Sequence, residues 1–183
     1  MLILGIAVLS TFIIAIQPAR VRALAQEVQL WAVVLAVFGV VAQSVGLQFG
    51  GLAGHALLAT GMAALVAAAW SLRRWPGGTL FVIGVALNAL VMSVYGRMPI
   101  PPDVIERLQL SYSVGTILAG SKDVVANGWL ASWLGDRFIM PIPVVNRTIV
   151  WSLGDLVMLA GVVRAATARI PDAKVSRTAQ SGV

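Results

Sequence analysis

Five uninterrupted apolar runs organise the chain: Leu2–Ile16, Leu30–Gly46, Gly54–Leu72, Thr79–Tyr95 and Thr148–Val163. None contains Asp, Glu, Lys or Arg except the last, which holds Asp155. A helix rises about 1.5 Å per residue, so crossing a hydrocarbon layer of about 30 Å takes roughly 20 residues. The first and last runs fall short of that length and are expected to borrow flanking residues or to sit in thinned bilayer. Small residues at Ala63-Ala64, Ala67-Ala68-Ala69 and Gly84 suit close helix packing. The pattern predicts an all-α fold, an integral membrane bundle of five transmembrane helices. Residues 1–163 form the membrane domain, 96–147 a long outer loop with short interfacial helices, and 164–183 a basic tail expected to be disordered.

Composition agrees with a membrane and with little else. Of 183 residues, 59% are hydrophobic and 11% charged, with a mean hydropathy of +0.91. A soluble domain has about 45–50% apolar and about 25% charged residues. The net charge of +6 is then a topology signal and not a nucleic-acid footprint. Arg20, Arg22, Arg73, Arg74 and the tail cations place those connections inside. The N-terminus is therefore expected outside and the C-terminus in the cytoplasm. The first run lacks a basic segment before it and reads as a retained helix, not a signal peptide. There is no cysteine and a single histidine, His55, so the sequence offers no thiolate chemistry, no metal cluster and no cofactor motif.

The outer loop begins and ends alike, with Met98-Pro99-Ile100-Pro101 and Met140-Pro141-Ile142-Pro143. Alternating prolines exclude helix and favour extended backbone. Met98, Pro99, Pro101, Pro141 and Pro143 should therefore shape two stiff arms. Between them, Asp103 is placed to cap a helix carrying Val104, Ile105 and Leu108, and Ser121 to cap a second. Trp129, Leu130, Trp133 and Leu134 give an apolar edge suited to the headgroup region.

Asp155 is the sharpest single residue, because a carboxylate within an apolar span costs about 3 kcal/mol and faces a partner or a cavity. Asn88, midway along the fourth run, is expected at matching depth. Gln43 and His55 sit toward the outer ends of the second and third runs. With Arg97 and Asp136 they sketch a polar pocket under the loop; the alternative is an Asn88–Asp155 pair acting only as interhelical glue. Arg97 could snorkel, pair with Asp136 or Asp155, or hold an anionic headgroup.

The blocks Asn88-Ala89-Leu90-Val91, Gly96-Arg97-Met98-Pro99, Leu134-Gly135-Asp136 and Ser152-Leu153-Gly154-Asp155-Leu156 resemble a family of small bacterial polytopic membrane proteins, domain-of-unknown-function family 5317. The resemblance runs over nearly the whole chain. It implies a bacterial inner-membrane protein and no reaction. The function expected is non-enzymatic: an accessory subunit, or a binder of a lipid-like ligand beneath the loop. Expected partners are membrane lipid and a protein in a membrane complex or a second copy, with no nucleic acid. Two alternatives remain, a small transporter or channel using Asp155 and Asn88, and a membrane-embedded aspartyl enzyme using Asp136 and Asp155. The latter needs both carboxylates within a few Å.

Overall fold

A computed structural model describes residues 29–49, 51–118, 122–142 and 147–168. Val28–Ala165 forms one compact unit. The predicted span at Leu2–Ile16 and the tail beyond residue 168 lie outside the described residues.

Three long helices open the described residues: α1 (Leu30–Gly46), α2 (Gly51–Trp70) and α3 (Gly78–Tyr95). They carry no charged residue, and α2 and α3 are long and apolar enough to cross a membrane. Glycines seven residues apart line their contacts. A Cβ on Gly46 would meet Gly54 O at 2.9 Å, and one on Gly61 would meet Gly39 O at the same distance. So α1 and α2 form an antiparallel hairpin whose backbones touch, which only small residues allow. The bulky residues point outward: Val33, Val34, Val37, Phe38 and Val41 are all exposed on α1.

The chain leaves α3 through Gly96, whose N–H donates to Met92 O at 2.8 Å with φ +71°. This left-handed turn suits glycine. It sends β1 (Met98–Ile100) back against the helices. Met98 is fully buried in a cluster with Leu58, Met62, Val91 and Met92. Strand β1 pairs in parallel with β2 (Asp123–Val125). Pro99, with no N–H, sits mid-strand, and the Met98 N–H and the Ile100 carbonyl make the flanking bonds to Lys122 O and from Ala126 N. Between them lies α4 (Pro102–Arg107), with Pro102 at its first position and Pro101 as N-cap; Asp103 lies inside the first turn and makes no cap. Ile100, Val104, Ile105 and Val125 form a second small core, onto which Ile139 and Val150 pack.

Helix α5 (Trp129–Leu134) leads into an antiparallel hairpin of β3 (Asp136–Ile142) and β4 (Arg147–Ser152). The last helix, α6 (Leu153–Thr167), follows without a break. A Cβ on Gly84 would sit 2.5 Å from Gly154 O, and one on Gly161 2.7 Å from Gly77 O. So α6 runs antiparallel to the first half of α3.

This corrects the expected fold class. The described residues form neither an all-α fold nor a five-span bundle: two helices qualify as spans, and the predicted loop builds two two-stranded sheets. The predicted span 148–163 begins as strand, over residues 148–152, and only then becomes helix. Thr148, Ile149, Val150 and Trp151 are β-branched and aromatic, and they find a partner strand in residues 136–142. An apolar run of that kind reads equally as helix or strand until its pairing is known.

Candidate functional site

The strand-to-helix junction at Ser152 holds the buried polar centre of the molecule. Ser152 precedes the first turn of α6, and Asp155 is the third residue of that helix. Asp155 N–H donates to Ser152 Oγ at 3.0 Å, and Ser152 N–H donates to Asp155 Oδ2 at 3.1 Å. This reciprocal arrangement is a capping box, which satisfies two helix-end donors that would otherwise be orphaned. The sequence Ser152-Leu153-Gly154-Asp155 carries its signature; the surrounding apolar run hid it.

Asn88 completes the network from α3. Its Nδ2 donates to Asp155 Oδ1 at 2.9 Å, and its Oδ1 accepts from Ser152 Oγ at 2.9 Å. Ser152 is fully buried, and Asn88 and Asp155 are buried beside it. Both amide groups and both carboxylate oxygens are thereby engaged. The arrangement matches the glue alternative in its geometry, with a difference in depth: Asp155 sits in the first turn of its helix, not midway along a span.

Asp136 lies next to this network. It pairs with Ser152 across the hairpin and is 3% exposed, with its buried Oδ1 making no hydrogen bond among the described residues. Burial raises its pKa to about 8; the Lys122 ammonium opposes that shift, and the Asp123 and Asp155 charges add to it. The hairpin thus sets the aspartate of the first Leu-Gly-Asp segment beside Ser152, three residues before the aspartate of the second. Trp151, one residue before Ser152, also has a buried indole N–H without a partner.

Gln43, His55 and Arg97 gather elsewhere, where the ends of α1, α2 and α3 meet. Arg97 NH2 donates to the carbonyl of Leu47 at 2.6 Å, at the C-terminus of α1, where a cation also complements the helix dipole. His55 packs on Gly96, since a Cβ there would fall 2.0 Å from its Nε2, and its Nδ1 lies 3.1 Å from Gly51 O. Gln43 Nε2 lies 3.7 Å from Met92 Sδ. Asn88 is eight residues below Gly96, about 12 Å along the helix. The six polar residues thus form two groups.

Of the proline arms, Met98, Pro99 and Pro101 are buried around β1. Pro141 is exposed on β3, and Pro143 lies outside the described residues. Among the described residues no three His, Cys, Asp or Glu side chains group to hold a metal. An open apolar groove of about 520 Å³ lies at the opposite end of α1 and α2, lined by Trp31, Ala63, Val66, Ala67 and Trp70. None of the polar residues named above contributes to it. Beside it the Arg73 guanidinium stacks 5.0 Å over the Trp70 ring.

Two exposed tryptophans mark the loop region. Trp129 is 72% and Trp133 66% exposed on one face of α5. That helix is held at the end of α3, where Tyr95 OH donates to Asn127 O at 3.1 Å. The Arg137 guanidinium donates to Ser132 O and stacks on Phe138.

Residues 20–167 match the sequence model of a family described as Family of unknown function (DUF5317). No curated protein and no solved structure matches the chain.

Proposed function

The chain belongs to that family of unknown function, and we propose that it is a non-enzymatic integral membrane protein that binds a lipid-like ligand through its folded outer region. The observation that carries this reading is the inverted packing of α1, α2 and α3. Gly39, Gly46, Gly54, Gly61 and Gly84 face inward, while Val34, Val37, Leu52, Leu90 and Val94 face outward with no charge among them. Water would penalise that surface by roughly 25 cal/mol per Å², and lipid removes the penalty. Trp129 and Trp133 continue the apolar surface beyond Tyr95, at the level where amphipathic rings meet headgroups. The Trp70–Arg73 stack at the other end supports a second interface there.

A transporter path through Asn88 and Asp155 has less support, because their side chains are consumed by each other and by Ser152. The test is native mass spectrometry of detergent-purified protein, with lipid headgroups identified after release. Bound lipid is expected on the wild type and at least tenfold less on Trp129→Ala/Trp133→Ala. A protein subunit retained in place of lipid would move the reading to an accessory subunit, and neither would sink it.

A further inference from the structure

The pairing of Asp136 with Ser152 sets one carboxyl beside the capping box that holds another. Each oxygen of Asp155 already accepts a hydrogen bond, one from the Asn88 amide and the other from the Ser152 N–H. Both bonds tie it to Asn88 and to the first turn of α6. Asp136 is buried beside Ser152, and its buried Oδ1 has no hydrogen-bond donor among the described residues.

We infer that Asp136, set beside the capping box of Asp155, forms a proton-binding site in which Asp136 takes up and releases the proton. The reaction is the simple equilibrium of one carboxylate and one proton with one carboxylic acid. It needs no oxidant, metal or co-substrate. Two carboxylates held together in a low-dielectric site do not both ionise readily. The groups that bear on Asp136 are Lys122, just ahead of β2, Asp123 on β2 and Asp155 on α6. Strand β1 and helix α5 contain no titratable residue, β3 carries Arg137, which donates to Ser132 O, and Arg147 opens β4 at the opposite end of the pairing register. On this assignment the junction beside the first turn of α6, where it meets Asn88 of α3, gains one negative charge when Asp136 loses its proton. The docking of α6 on α3 becomes responsive to proton concentration.

The site is tested by infrared difference spectroscopy of the full chain in phosphatidylcholine/phosphatidylglycerol vesicles, taken below and above about pH 8. The wild type should show a protonated-carboxyl carbonyl band that disappears with a midpoint near 8. Asp136→Asn should lack it. Lys122→Met, which removes the opposing cation, should raise the midpoint, giving at least a threefold tighter proton. Asp155→Asn should lower it in the same measure. A band that survives Asp136→Asn, or that never titrates, overturns the assignment. So does a band abolished by sodium but not by choline at fixed pH, which would make the junction a metal-cation site. Because Lys122→Met leaves the capping box intact, the test does not depend on the Asp155 variant folding.

Discussion

Asn88 and Asp155 meet through a 2.9 Å hydrogen bond between the middle of α3 and the first turn of α6. The bond spans 67 positions in sequence, and with Ser152 it closes a buried ring of four hydrogen bonds. Asn88→Ala would strip a donor from Asp155 and an acceptor from Ser152 at once. A buried charge losing its partner costs about 3–5 kcal/mol, and the remaining Ser152 N–H bond to Asp155 keeps the loss near the lower value. A thermal melt in detergent should show a large drop in Tm. Asn88→Asp should be worse, placing a second carboxylate against Asp155. An Asn88→Ala melt coincident with wild type would show the ring to be dispensable.

The same contact fixes Gly154. A Cβ there would lie 2.1 Å from Asn88 Oδ1 and 2.7 Å from Gly84 O. Gly154→Ala must push α6 off α3 or rotate Asn88 out of its network, at about 3 kcal/mol or more. Loss of protease resistance specific to the 153–167 segment is the expected readout. Equal resistance in variant and wild type would contradict the close approach.

Gly96 combines two costs that can be separated. Its φ of +71° disfavours any side chain by about 1 kcal/mol, and a Cβ would also collide with the His55 ring. Gly96→Ala should therefore destabilise strongly. Adding His55→Ala should recover all but the conformational part. A double variant no more stable than Gly96→Ala alone would show that the ring is not the obstacle.

Stability should also follow pH through Asp136. Its carboxyl titrates near 3.8 when unfolded and is pushed up to about 8 by burial in the fold. Between those values the folded state holds a proton that the unfolded chain has released. Its contribution is thus complete below about pH 4, shrinks as pH rises, and is gone above about pH 8. The whole span is on the order of 5 kcal/mol at about 1.4 kcal/mol per unit. Asp136→Asn should flatten the profile across that window, as read from Tm against pH. A wild-type profile that rises over the same range would reverse the sign and reject the shift.

Arg97 anchors the other group. Removing its guanidinium with Arg97→Ala takes a charged donor from Leu47 O at the end of α1, a loss of about 1–2 kcal/mol. Hydrogen exchange should quicken at the α1–α2 turn while the Asn88 ring stays protected. Uniform exchange across both regions would argue against two separate groups.

Some of this was legible in the residues alone. Residues 30–95 carry no charge except at Arg73 and Arg74; no choice of period hides such runs, and the three helices follow. The proline arms, too, had to be extended, since proline blocks a helix whatever its surroundings. The capping box was written at Ser152-x-x-Asp155 but lay inside a window whose hydropathy alone suggested a span. Where residues 147–152 would go depended on a partner. Their β-branched pattern is satisfied only by residues 136–142, and hydrogen-bond pairing between segments is not encoded in either one. That pairing brought Asp136 to Asp155, and it split one expected helix into a strand and a shorter helix. Local chemistry thus determined which segments are apolar, stiff or capped. The tertiary structure decided which carboxylates share a junction, because proximity there comes from strand register and glycine contacts between distant parts of the chain.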